Sequence, residues 1–206
     1  MSLKFSVQLP TDRVDNLAEF GTAEAITEVA RAAEAAGYDA AFVTEHPFPT
    51  DAWLGTGGHH ALDPFVSLAI AASATSDLLL HTNILVLGYR NPFLTAKAVA
   101  SLDAVSGGRV IVGFGAGYLE GEFDALGADF ANRNDVSDDA LVAMKAAWSG
   151  ESVEMSRSGF HAAGNTMLPT PIQKPHPPIW IGGNSPRAIR RSVDFAQGWS
   201  PFPLPA

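Results

Sequence analysis

Residues 109–117 read RVIVGFGAG, and this stretch decides the fold class. Arg109–Phe114 is an apolar run without polar alternation, the pattern of a strand covered on both faces in a parallel sheet. Gly115 and Gly117 follow at once, where a backbone leaving a strand turns tightly or lets a flat ligand approach. Ahead of the run, Asn91-Pro92 pairs a capping side chain with proline at the first helical position and predicts a helix to about Val105. Behind it, Ser137–Trp148 reads as another helix.

The same unit recurs in both directions. Strands are predicted at Leu3–Leu9, Tyr38–Thr44, Leu78–Leu87, Pro178–Ile181 and Gly198–Pro201. Helices are predicted at Thr22–Ala36, stopped by Gly37, and from Asp63-Pro64 and Ser185-Pro186, which repeat the cap-plus-proline signal. Six such repeats imply a parallel sheet with helices outside. The first three strand-to-strand intervals are 31 to 40 residues. The fourth, from 109 to 178, is 69 residues and must hold an insertion, placed at residues 151–177 as a loop or hairpin with Gly159, Gly164 and a cluster of prolines. An open doubly wound sheet and a (β/α)8 barrel both fit this pattern. The open sheet ordinarily carries a glycine-rich phosphate turn after its first strand. Here LPTDRVD follows, with no glycine before Gly21, which favours the barrel. Complete barrels take about 250 residues, so residues 1–206 are expected to form a single barrel domain that stops after about six strands.

Composition narrows the function classes. The chain is 47% hydrophobic and carries 13 Lys+Arg against 22 Asp+Glu, a net charge of −9. That balance argues against nucleic acid and anionic membranes as partners. Without cysteine, disulfides, thiolate metal sites and cysteine nucleophiles are excluded. No apolar run approaches the roughly 18 residues that cross a bilayer. The start, MSLKFSVQLPT, lacks the apolar stretch of a secretory leader, so a cytoplasmic location is expected.

In parallel α/β proteins ligands meet the carboxyl ends of the strands, so the residues just past each strand are the candidates. After the second strand stand Glu45 and His46, a general acid or base pair by type, of which an extended chain aims only one at the barrel mouth. The bland alternative is local pairing at a strand end. The loop Phe48–Leu62, with Trp53, His59 and His60, reads as a mobile active-site loop; His46, His59 and His60 lack metal-ligand spacing, and no metal is expected. His81 and Asn83 are polar positions in an otherwise apolar third strand and need partners or a ligand. Gly182-Gly183-Asn184-Ser185 leads from the fifth strand into a capped helix, a ready anion site, with Arg187, Arg190 and Arg191 adding positive charge. Glu120, Glu122 and Asp124 read as a solvated first helical turn rather than a paired-carboxylate site.

Together, GRVIVGFGAGYLEGEFDALG, the helix ending in Trp148, and PTPIQKPHPPIWIGGNSPRAIRRSVDFAQGWSP resemble the luciferase-like flavin monooxygenase family, over essentially the whole chain. Tyr38–His46 and NPFLTAKAVASLDAVSGGR fit the same pattern. The resemblance is closest to the branch that uses the deazaflavin coenzyme F420, with FMN users as relatives. It implies an enzyme with a (β/α)8 barrel and an insertion after the fourth strand. It implies a cofactor at the carboxyl ends of the strands, against a non-proline cis peptide that falls by position at Asn83-Ile84. It puts the cofactor phosphate at Gly182, Gly183, Asn184 and Ser185, and places Gly115, Gly117 and Tyr118 along the cofactor or substrate. It assigns His46 to proton transfer. An F420-dependent hydride transfer to or from a small organic substrate is therefore expected; an FMN-dependent monooxygenase is the alternative within the family, and a non-catalytic flavin-binding protein the alternative outside it. Tyr118 stands where the sugar-phosphate dehydrogenases carry an acid, so a sugar phosphate is not the expected substrate. An open barrel leaves two strand edges that a second copy would cover, so a homodimer is expected.

Overall fold

A computed structural model describes residues 3–202. The chain runs β1 (Ser6–Gln8), α1 (Leu17–Phe20), α2 (Ala23–Ala35), β2 (Ala40–Val43), α3 (Asp51–Leu54), α4 (Pro64–Ala74), β3 (Leu79–Val86), α5 (Pro92–Ser106), β4 (Val110–Gly115), α6 (Glu120–Ala125) and α7 (Arg133–Trp148). It continues through β5 (Val153–Arg157), β6 (Phe160–Asn165), β7 (Ile179–Gly182), α8 (Pro186–Phe195) and β8 (Gly198–Ser200). Six strands pair in parallel in the order β1-β2-β3-β4-β7-β8, a curled half-barrel in which each strand lies beside the one before it in the sheet.

The start signals act as their chemistry dictates. Asp63, Asn91 and Ser185 each accept backbone N–H bonds at the first turns of α4, α5 and α8, with proline next in line. Gly37 and Gly107, at φ 83° and 72°, take the left-handed conformation just past α2 and α5. Helix α7 begins at Arg133, four residues earlier than the apolar spacing suggests, because its first turn is polar. The helices cover the convex face of the sheet. Ala41, Val43, Leu80, Val110, Val112, Phe114, Ile179 and Ile181 alternate onto that face and are buried among Ile26, Leu68, Val99, Leu141 and Trp148. The intervening residues face the concave side: register places Phe42 beside His81, His81 beside Ile111, and Gly113 beside Trp180.

Between β4 and β7 the chain leaves the barrel. Strands β5 and β6 form a separate antiparallel hairpin. Its two-residue turn, Ser158-Gly159, has both φ angles positive, the geometry that matches strand twist. The return to the sheet is pinned by Gln173, whose side chain donates to Asp103 Oδ1 at 2.7 Å and to the Val110 carbonyl at 2.8 Å. Among the described residues, no helix is long and apolar enough to cross a membrane.

Candidate active site

The carboxyl ends of β2, β3, β4, β7 and β8 surround one cavity of about 530 Å³, within the 300–1,000 Å³ range of small-molecule sites. Glu45, His46, Asn83, Ile84, Gly115, Gly117, Tyr118, Gly182, Gly183, Asn184 and Ser185 all line it. His59, Arg133, Asn134, Arg191 and Ser200 line it as well.

Its floor is set by an irregularity in β3. Register with β4 shifts between Thr82 and Leu85, and the Asn83-Ile84 peptide is cis. Ile84 lies across β4 and β7: a Cβ built on Gly115 would come within 2.2 Å of Ile84 Cδ1, and one on Gly182 within 2.8 Å. Only glycine lets this side chain lie flat there. Asn83 Oδ1 accepts from the Ser200 hydroxyl at 3.4 Å, linking β3 to β8 beneath the cavity. The polar position Asn83 thus finds a partner. His81 does not: its Nε2 is buried without a hydrogen bond, its ring stands edge-on to Trp180 at 5.1 Å, and burial lowers its pKa to about 4.

At the far wall, Gly183 has φ 111°, and its N–H donates to the Ser200 carbonyl at 3.2 Å. The Ser185 hydroxyl caps α8 by accepting from Ala188 N–H at 3.1 Å. Asn184 is held by reciprocal 3.0 Å bonds with Phe202. Arg190 is exposed, and the other two arginines of α8 differ from the sequence expectation. Arg187 pairs with Asp135 and Asp138, and Arg191 is buried against Asp138 and Asn134 of the same helix, α7. Their charge is offset locally, and only Arg191 reaches the cavity wall. Sequence could not show this, because the offsetting carboxylates lie about fifty residues away.

The β2 end separates its two candidates. Glu45 is buried; its Oε2 accepts from Val86 N–H and its Oε1 from Arg90 Nε, both at 2.7 Å. Arg90 also reaches Asp63 at 3.1 Å, so one guanidinium ties β2, β3 and the start of α4 together. Burial pushes the Glu45 carboxyl up, against the pull of Arg90. His46 turns to the other side, 4.4 Å from the Trp53 ring, 4.9 Å from His59 and 6.3 Å from Tyr118, measured between centroids. Trp53 sits on α3, a short helix inside the segment read as a loop and capped by Thr50.

Glu122 corrects the reading of the GYLEGEFDALG acids as solvated. Glu120 and Asp124 are exposed, but Glu122 is 0% exposed. It accepts from the Tyr89 hydroxyl at 2.7 Å and Phe48 N–H at 3.0 Å, and its Oε2 lies 3.5 Å from His46 Nδ1. Burial raises its pKa, but His46, Tyr89 and the Phe48 amide together hold it below the ordinary carboxylate value. The phenol of Tyr89 is pushed far up by burial and by Glu122, so it stays a donor. The available signal was the spacing of the acids: Glu120 and Asp124 flank Glu122 at two residues on a helix, so the three cannot share one solvated face.

The residues present fit a flat, phosphorylated cofactor. A side-chain-free floor lies under Ile84, a capped helix start offers N–H groups, and His46 lines the same cavity. The family model described as luciferase-like monooxygenase matches residues 3–206. The F420-dependent hydroxymycolic acid dehydrogenase of Mycobacterium tuberculosis is 30% identical over 174 residues, 82% of this chain and 46% of that protein. The FMNH(2)-dependent dimethylsulfone monooxygenase of Pseudomonas putida is 29% identical over 137 residues, 65% of this chain and 38% of that one. The crystal structure of monooxygenase RslO1 from Streptomyces bottropensis superposes with a TM-score of 0.79 at 28% identity, covering 93% of this chain and 57% of that one. The chain spans about half the length of the relatives it matches.

Proposed function

The chain belongs to the luciferase-like monooxygenase family, and on that premise we propose that it serves an oxidoreductase that uses coenzyme F420. The reaction proposed is hydride transfer between the deazaflavin carbon and a small organic substrate. The observation that carries this is the flat floor formed by Ile84 over Gly115 and Gly182, with His46 lining the same cavity. The longer match to an F420-dependent dehydrogenase, 174 residues against 137 for the FMNH(2)-dependent monooxygenase at nearly equal identity, supports F420 as the first reading. The similarity to an FMNH(2)-dependent monooxygenase keeps oxygen activation as the second reading.

When bound, the cofactor supplies the hydride chemistry; the protein supplies position and protons. Asn83 and Ile84 support the ring. The Gly182–Ser185 turn and the α8 N-terminus hold the phosphate, with Arg191 behind them. Gly115, Gly117 and Tyr118 border the ring and the substrate, which enters on the side of Trp53 and His59. His46 gives or takes the accompanying proton. Glu45 braces the strand ends that carry His46 and Ile84, through Val86 and Arg90.

Titration of the chain with F420 and, separately, FMN, followed by fluorescence, tests this. Tighter binding of F420 is expected. Tighter binding of FMN moves the assignment to the monooxygenase, and binding of neither removes the cavity as a cofactor site of this chain.

A further inference from the structure

We propose that Glu122 is the positioning residue of His46: it keeps a proton on Nδ1 and so leaves the Nε2 lone pair facing the cavity. This rests on the reading of His46 as the proton carrier and adds the group that orients it. A buried carboxylate is costly unless donors surround it. Glu122 has two neutral donors, the Tyr89 hydroxyl and the Phe48 amide, and among the described residues its only cationic or ionisable base partner is His46.

The two nitrogens of His46 differ. Nδ1 is buried, without a hydrogen-bond partner, and 3.5 Å from Glu122 Oε2. An ionised carboxylate only accepts, so the nitrogen facing it must carry the hydrogen, and a neutral imidazole then has its acceptor on the other side. No hydrogen bond within the described residues engages Nε2, and the ring lines the cavity. Trp53 at 4.4 Å and His59, perpendicular at 4.9 Å, fix the ring plane. The 3.5 Å gap is long for a hydrogen bond, and such contacts tighten when a ligand binds or the imidazole charges. Glu122 then stabilises the imidazolium as well as the tautomer.

The geometry gives a specific signature for Glu122→Gln. Oε1 receives the Phe48 amide, so the carbonyl of the glutamine must stay there. Its NH₂ group then occupies the Oε2 position with two hydrogens: one meets the Tyr89 oxygen, whose hydroxyl hydrogen rotates away, and the other meets His46 Nδ1. The tautomer inverts: Nδ1 becomes the acceptor and Nε2 carries the hydrogen. ¹⁵N NMR of the ligand-free, histidine-labelled chain reads this directly at about pH 8, above the ordinary imidazole range, with His46→Gln assigning the signals. The Nδ1 resonance is expected at the protonated position in the wild type and at the unprotonated position in Glu122→Gln. Glu122→Asp, which keeps the charge, and Tyr89→Phe, which keeps the carboxylate, should both retain the wild-type tautomer.

A merely structural Glu122 would alter stability without inverting the tautomer. A wild-type ring protonated on Nε2, or one unchanged in Glu122→Gln, overturns the proposal. Because the chain is read without cofactor, failure of F420 to bind counts against the proposed function and leaves this result standing.

Discussion

At the scale of single residues, the site depends on places where a side chain is missing. The clearest contrast is between Gly113 and Gly115. A Cβ on Gly115 would meet the terminal Cδ1 of Ile84, which can swing away; a Cβ on Gly113 would lie 2.2 Å from the Thr82 carbonyl oxygen, which cannot. Gly115→Ala is therefore expected to fold with a stability loss below about 1 kcal/mol, yet to push Ile84 off the cavity floor and weaken cofactor binding about tenfold or more. Gly113→Ala is expected to cost about 3 kcal/mol, since overpacking here moves backbone. Urea unfolding and cofactor titration of both variants check this; equal effects on stability would sink the distinction. The residues past each strand end were legible because parallel sheets present ligands there. Glu122 was legible only in its spacing from Glu120 and Asp124; the partners that receive it, Tyr89 and Phe48, are 33 and 74 residues away.

At the scale of elements, the caps explain why the boundaries were readable and Arg109 shows what was not. Read in sequence as the first residue of a strand, it joins three elements. Its Nε donates to the Ser106 carbonyl at 2.7 Å, and its NH1 donates to the Thr75 hydroxyl and the Leu78 carbonyl, both at 2.9 Å. Its NH2 donates to the Ala72 carbonyl at 2.8 Å and the Thr75 carbonyl at 3.1 Å. The orphan carbonyls at the end of α4 are thus satisfied by one fork at the foot of β4. Arg109→Met is expected to cost about 2–4 kcal/mol, because several carbonyls lose a charged donor at once. Arg109→Lys should recover less than half of that, since one ammonium cannot span the carbonyls a planar guanidinium reaches. Chemical denaturation of the two variants measures it; a lysine as good as arginine would mean that charge alone matters. The hairpin β5–β6 was harder to foresee than the barrel repeats, because a two-stranded unit outside the sheet has no long apolar run to betray it, only the Ser158-Gly159 turn.

At the scale of the whole molecule, the acid limb of stability follows from groups the fold buries. His81 lies under the cavity, 6% exposed, with its folded pKa lowered to about 4 from 6.5. Between those values the unfolded chain binds the proton and the folded chain does not. Stability from this group is therefore complete above pH 6.5 and is lost as pH falls toward 4. At about 1.4 kcal/mol per pH unit the loss approaches about 2 kcal/mol by pH 5 and about 3 kcal/mol by pH 4. Glu122, held below its ordinary value, adds a loss in the same direction at still lower pH. Glu45, raised by burial, opposes it, because its folded form takes up a proton more readily than the unfolded chain. Glu45 thus works against His81 within the same window and Glu122 acts below it, so the share of His81 is read as the difference between the wild type and a variant that lacks the imidazole. Urea unfolding at pH 7 and pH 5 should show His81→Asn, which does not titrate, losing about 2 kcal/mol less than the wild type over that interval. A variant that falls as steeply as the wild type would place the acid sensitivity elsewhere. Because His81 stands edge-on to Trp180 in the concave face, the same charging event should change tryptophan fluorescence before global unfolding, tying the acid response of the fold to the floor beneath its cavity.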